Sequence, residues 1–428
     1  MRRTVSILIT MLFIATPVLA ADDFDPKTEK TLIEMLRENP DSIPLEPRDP
    51  SRDPMTMRRS VEERQGNRKP GVVNLQQTYG GTAFMGIPTF FKAPVALTPA
   101  DLKAGKVDIA IMGAAVDMST GMRGTAYAPG AVRNAERYAP WGKGELFKLA
   151  HPVAGYIDPL QEFNVVDYGD APIDILSGER SVLPVYEMVK EITEAGVVPV
   201  VVGGDHSLMY ADVAAISSVY GPKNVSVVHF DAHFDGIPLA MGHYLSHGAP
   251  VRRLIDEGHV LGKNFIQIGL NSAKPGGSDL AWMRKNQIKF HFMGEIDRYG
   301  WKEVMKRVLA ELEDGPEYVF ISIDTDCLDA PFAPGMGTPE LGGMTIRELF
   351  PMLRAVTIAK KVVGVELVEV NPVVDPTYLT PYVGLRTLKE VLVGMAMRKK
   401  GITDPFYMDA EWLDHGAPIK GWKGYKKK

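Results

Sequence analysis

The sequence predicts an α/β domain built on a mostly parallel sheet with helices on both faces. β-branched apolar runs recur along the chain, helical patterns alternate with them, and several runs end in clustered carboxylates and histidines. With 428 residues, 45% of them hydrophobic, the chain has material for a large core. Its single cysteine, Cys327, excludes a disulfide framework and any Cys-rich metal site, so a bound metal would rest on His and carboxylate ligands. A net charge of −5 without a dominant basic face gives no electrostatic case for nucleic-acid binding.

The first twenty residues stand apart. Arg2 and Arg3 precede an apolar run from Val5 to Ala15, and Val18 and Ala20 suit cleavage after Ala20 by signal peptidase. A membrane anchor needs about 20 apolar residues, and this run is shorter and broken by Pro17. Residues 1–20 are therefore expected to be a secretory signal, leaving an exported, periplasmic or secreted chain with no membrane partner after cleavage. Residues 21–75 form a polar arm punctuated by Pro40, Pro44, Pro47, Pro50 and Pro54. One short helix, Lys27 to Arg37, is expected there, and the arm should drape over the main body or a neighbouring subunit.

Strands are expected at Val107–Met112, Val197–Val202, Val225–Phe230, Phe265–Ile268, Tyr318–Ile323 and Val362–Val370. Pro184–Glu194, Trp301–Leu312 and Ile346–Ile358 carry helical patterns between them. The alternation describes one α/β domain over 76–405, with a basic tail at 406–428 whose Lys-rich end reads as solvated.

In open sheets of this kind ligands bind just beyond the carboxyl ends of the strands. The run at Val197–Val202 leads into Gly203-Gly204-Asp205-His206-Ser207, and the run at Val225–Phe230 into Asp231-Ala232-His233-Phe234-Asp235. In extended chain Asp231, His233 and Asp235 share one face. Tyr318–Ile323 ends in Asp324-Thr325-Asp326, adding two carboxylates on one face. Four carboxylates converging without cations would raise one another's pKa values, whereas two divalent ions balance them. The combination predicts a binuclear metal site, and an oxygen-and-nitrogen donor set without thiolate suits Mn²⁺ while leaving Ni²⁺, Co²⁺ or Zn²⁺ open.

These stretches resemble the ureohydrolase family of arginases and agmatinases. The resemblance rests on GGDHS (203–207), DAHFD (231–235), SHGAP (246–250), SIDTDCLDAPFAPGMGTPELGG (322–343) and VEVNP (368–372). The segment 113–133 looks like the family's N-terminal substrate loop. The resemblance implies a three-layer αβα fold around an eight-stranded parallel sheet, two manganese ions, a small guanidino substrate and a homo-oligomer, trimer or hexamer. Carried over by position, it implies one metal on His206, Asp231, Asp235 and Asp324 and another on His233, Asp231, Asp324 and Asp326. Asp235 would accept the attacking water's remaining proton, His247 would pass a proton to the leaving amine, and Glu369 would anchor the guanidinium by paired hydrogen bonds.

Asp329, Glu366 and His229 read as supporting residues, His243 as structural, and Cys327 as a buried thiol. Asp235 is followed by Gly236-Ile237-Pro238 and lacks the Asn-containing stretch with which arginases read the amino-acid end of arginine. Agmatine is therefore the expected substrate, with guanidinobutyrate, guanidinopropionate and free guanidine as competitors. A deacetylase-type enzyme with a single zinc is the alternative hydrolase, and retention of both His206 and Asp235 argues against it. A non-catalytic binding protein on the same scaffold is disfavoured because no ligand, shuttle or anchor position is lost. The chain departs from the family in Asp329-Ala330-Pro331, where Asp-Pro is usual, and in its long arm.

Overall fold

In a computed structural model of the chain, the described residues are 30, 31, 33, 34, 37, 68–75, 86–118, 121–135, 157–241 and 243–407. The expected leader, its cleavage point, most of the arm and the Lys-rich end lie outside them. The strands are β1 (Ile109–Ala114), β2 (Val165–Asp170), β3 (Val198–Gly203), β4 (Val225–Phe230), β5 (Phe265–Leu270), β6 (Lys289–Phe292), β7 (Tyr318–Asp324) and β8 (Lys361–Val368). They form one eight-stranded sheet in the order β2-β1-β3-β8-β7-β4-β5-β6, and every pairing is parallel.

The helices are α1 (Pro99–Ala104), α2 (Ala128–Arg133), α3 (Pro159–Glu162), α4 (Gly178–Glu194), α5 (Leu208–Tyr220), α6 (Pro250–Asp256), α7 (Gly277–Lys285), α8 (Met293–Tyr299), α9 (Trp301–Glu313), α10 (Ile346–Ala359) and α11 (Leu379–Lys399). Alternate strand residues supply two core layers. Ala110, Met112, Val201, Val227 and Phe320 pack with α4 to α7, whereas Ile111, Val200, Val228, Ile321 and Val365 pack with α8 to α11. The three-layer αβα architecture follows: with both faces covered, the inner strands read as almost unbroken apolar runs.

Local signals set the helix starts. Ser177 caps α4 by accepting from Arg180 N, and Thr345 with Glu348 closes a capping box on α10. Parts of the arm do lie on the body: Ile33 is buried in the core, Arg37 Nη2 donates to Glu187 at 2.7 Å, and Arg68 Nη2 donates to buried Asp101 at 2.6 Å. Ile33, Glu34 and Arg37 are helical, within the expected Lys27–Arg37 span.

Two strands, β2 and β6, have no counterpart among the sequence expectations. Both lie at the sheet's edges, where no further strand pairs and β2 meets only an isolated bridge from Asp167 to Val95, and their charged and aromatic residues interrupt any apolar run. The expected strand Val362–Val370 stops at Val368, because Glu369 turns out of the sheet with φ 61°.

Candidate metal centre

Four neighbouring strands at the middle of the sheet, β3, β8, β7 and β4, deliver the site from their carboxyl ends. After β3 the chain turns through Gly204, whose missing Cβ is required: a methyl there would meet Val116 O at 1.9 Å. The turn presents His206, and its backbone N–H donates to Glu369 Oε1 at 3.0 Å.

The chain beyond β4 is not the extended segment that the shared-face expectation assumed. The strand ends at Phe230, and Asp235 adopts φ 49°, in the left-handed region. An extended strand would carry Asp235 about 13 Å beyond Asp231; the bend instead returns its carboxylate to the same point. After β7, Asp324 caps a short 3-10 turn, Thr325–Cys327, and accepts from Asp326 N at 2.8 Å, which brings the second carboxylate inward. Asp235 and Glu369 are thus both held in a conformation that non-glycine residues rarely adopt, as at sites where surrounding structure over-determines the backbone.

His206 Nδ1 lies 3.0 Å from Asp231 Oδ2, 2.9 Å from Asp235 Oδ2 and 3.0 Å from Asp324 Oδ2. His233 Nδ1 lies 2.8 Å from Asp326 Oδ2 and 3.6 Å from Asp231 Oδ1. The two oxygens of Asp231 therefore divide between two ligand sets, as a bridging carboxylate would. All six side chains expected from the sequence converge, and His229 Nε2 lies close beside the first set, 2.7 Å from Asp231 Oδ2. The fit to cations rests on unpartnered atoms: His206 Nδ1 and Asp231 Oδ2 are buried without a hydrogen-bond partner although they lie within 3.0 Å of each other. Donor atoms crowded together, yet not aligned to bond one another, share a focus that a divalent cation fills.

The electrostatics agree. Burial opposes a charged His206, yet Asp231, Asp235 and Asp324 together push its pKa well above the usual histidine range. His233 is likewise raised, against burial, by Asp326 and Asp231. Burial, then the charges of Asp326 and Asp231, drive Asp324 well up, and burial with Asp231 pushes Asp326 up to about 7. Protons thus stand in for the positive charge this cluster requires.

Glu369 is buried beside the cluster, with Oε2 unpartnered. Burial, then the charges of Asp205 and Asp326, raise its pKa, which a neighbouring guanidinium would reverse. His247 Nδ1 stands 3.8 Å from Glu369 Oε1, so the expected shuttle and the expected anchor face the same space. A cavity of about 420 Å³ borders it, lined by Met118, Arg123, Glu179, Met241, His243 and Leu245 among others. Two of its charges are already paired: Glu179 with His243 at 3.1 Å and Arg123 with Asp117 at 3.6 Å.

The arginase family's sequence profile matches residues 107–394. The chain belongs to the arginase family. It is accordingly a metal-dependent hydrolase of guanidino compounds, from a family that works with two metal ions. It is 31% identical over 323 residues to guanidinobutyrase of Pseudomonas aeruginosa, covering 74% of this chain and 96% of that protein. It is 30% identical over 298 residues to agmatinase of Bacillus anthracis, covering 67% of this chain and 91% of that one. Among solved structures, proclavaminate amidino hydrolase from Streptomyces clavuligerus aligns with a TM-score of 0.65 at 27% identity, over 74% of this chain and 100% of that one.

Several site residues escaped the sequence reading. Asp205 accepts from the backbone of Met118 and Ser207 and so joins the segment 113–133 to the His206 turn. Asn371 Nδ2 holds the same segment through Met122 O at 2.8 Å. Glu340 lies 3.5 Å from His233 Nε2, and Ser322 Oγ 2.9 Å from His206 Nε2. All four sit inside the family-like motifs, which was their only signal; Ser322 and Glu340 meet partners over 90 residues away in sequence. Of the supporting residues, Asp329 accepts from Gly342 N at 2.8 Å, and Glu366 is buried 3.5 Å from His206 Nε2. Cys327 is fully buried, as expected.

Proposed function

We propose that this hydrolase cleaves the guanidino C–N bond of agmatine, giving urea and putrescine, at the centre formed by His206, Asp231, His233, Asp235, Asp324 and Asp326. The observation that carries this reading is the convergence of those side chains on unpartnered buried atoms, with the open face of Glu369 beside them. Two divalent cations held there, Mn²⁺ matching the donor set best, would supply a water acidic enough to attack at neutral pH. Glu369 Oε2 accepts from the planar guanidinium and orients its carbon, while Oε1 is kept in place by His206 N–H. Asp235 takes the proton released at the attacking oxygen, and His247 delivers a proton to the departing amine nitrogen. Burial of Asp231, Asp324 and Glu369 keeps bulk water from competing for those hydrogen bonds.

The substrate's tail would enter the adjoining cavity. Glu179 on its wall suits an ammonium-ended tail and favours agmatine; Arg123 supports a second reading, a carboxylate-ended guanidino acid such as that named for the Pseudomonas relative. Urea release from agmatine, 4-guanidinobutyrate, 3-guanidinopropionate and guanidine, with Mn²⁺- and Ni²⁺-loaded chain, tests the proposal. The highest kcat/KM is expected with agmatine and Mn²⁺; a preference for either acid would replace agmatine with the second reading. We further propose export and removal of residues 1–20, supported by the leader pattern. Mature protein beginning at Ala21 is the expected result of N-terminal sequencing.

A further inference from the structure

Below the ligands, one step back along the strands, runs a row of buried polar residues. Gln267 on β5 is the register partner of His229 on β4, His229 of Ser322 on β7, and Ser322 of Glu366 on β8. All four side chains are fully buried in the sheet, where an apolar residue would cost less, so each needs a polar partner. Ser322 and Glu366 serve His206. His229 and Gln267 reach Asp231 and Phe234 O, in the chain that carries His233 and Asp235.

The hydrogen bonds determine what His229 can do. Gln267 Nε2 lies 2.8 Å from Phe234 O, a carbonyl that only accepts, so the amide nitrogen must be on that side. The same nitrogen lies 3.0 Å from His229 Nδ1. A donor at that position requires the Nδ1 lone pair and leaves the neutral ring's proton on Nε2. Nε2 in turn is 2.7 Å from Asp231 Oδ2, the oxygen shared with the His206 ligand set. Both atoms are unpartnered in this arrangement, so the contact is a close approach and not a formed hydrogen bond; the occupied Nδ1 is what assigns the proton to Nε2. A nitrogen carrying a proton cannot ligate a cation, but it can hold a carboxylate in place. The His229 ring also packs edge-on against His206, with centroids 4.9 Å apart.

We propose that His229, seated by Gln267, is a positioning residue that holds the Asp231 carboxylate in its bridging orientation, and is not itself a metal ligand. Gln267 ties this function to Phe234 O, so one amide couples the bridging carboxylate to the bend that places His233 and Asp235. The inference rests on the two-cation reading of the centre.

Titration of the metal-free full chain with Mn²⁺ against a competing chelator tests it, alongside the steady-state kinetics of urea release. The wild-type chain should take two Mn²⁺. His229→Asn should still saturate at two but bind them about 10–100-fold more weakly, with kcat reduced and KM little changed. Gln267→Glu places an acceptor against Nδ1, draws the ring proton off Nε2 and should weaken binding in the same direction. Gln267→Met, which keeps the volume but loses the donor, carries the same test if His229→Asn does not fold. Saturation of His229→Asn at one Mn²⁺, or tighter binding by Gln267→Glu, would make His229 a ligand and overturn the proposal. Unchanged affinity and kcat in the variants would overturn it by leaving His229 no role. A wild-type chain that takes fewer than two Mn²⁺ would instead fail the two-cation reading, and the inference with it.

Discussion

The ligand cradle and the neighbouring tail cavity touch, yet they are built in opposite ways. The cradle hangs from the ends of four central strands, its carboxylates are buried, and its backbone is held in rare conformations at Asp235 and Glu369. The cavity is walled by loops and the start of α4, with Met118 and Met241 exposed and the charges of Glu179 and Arg123 already partnered, by His243 and Asp117. On the proposed function the difference separates two jobs: rigid strand ends would set the reacting geometry, and loops with soft methionines would choose the tail. Mutations in the cradle should therefore act on kcat or on metal content, and mutations in the cavity on KM.

The largest effect should come from the cradle. Asp324→Asn or His233→Ala removes a ligand and should lower urea release on the order of 10⁴-fold, the equivalent of roughly 5–6 kcal/mol of charge stabilisation, with loss of metal. His247→Ala should cost about 10³-fold with both cations retained, because it removes only a proton donor. Loss of metal from that variant, seen by elemental analysis, would move His247 into the ligand set.

Gly337→Ala probes the boundary between the two regions. Its new methyl would lie 2.0 Å from Glu369 Oε2, so the carboxylate must shift, and kcat/KM should fall about 100-fold while metal content stays the same. In the cavity, Glu179→Gln should raise the KM for agmatine about threefold to fivefold and leave kcat alone, the scale of an exposed charge contact. An equal change with 4-guanidinobutyrate would show that this wall does not read tail charge.

The metal-free chain should reveal the cradle's need for positive charge through its pH dependence. Asp326 is raised to about 7, and His206 and His233 are raised above their usual range, so the folded apo state holds more protons than the unfolded one. Stability from Asp326 is complete below about pH 4 and is lost as pH rises toward 7; that from the histidines is lost above about 6.5. Thermal melts of apo protein should therefore show a falling midpoint from pH 5 to 8. Metal binding releases those protons, so Mn²⁺ should stabilise the chain more at pH 8 than at pH 6.

The same contrast explains what could be read from the sequence. The inner strands are covered on both faces and announce themselves as apolar runs, and their ends carry the ligands, so β3, β4, β7 and β8 and the six metal-ligand candidates were legible. The edge strands β2 and β6 were not, because Asp167, Lys289 and His291 break the pattern that two-sided burial imposes. The way the ligands converge was also hidden: period-two logic put Asp235 on the face of Asp231, but a left-handed bend brings it there. Gln267, Ser322 and Glu340 act through contacts between distant segments, which local spacing does not encode. The cavity's choice of tail depends on loop geometry in the same way.

On the proposed function these strand ends hold a pair of cations that act together. Metal analysis of the Mn²⁺-reconstituted chain after free ion is removed tests it most directly, with urea release followed as the sites fill. Two equivalents per chain are expected, with turnover appearing as the second binds. One equivalent in a fully active chain, or an active chain holding none, would contradict it.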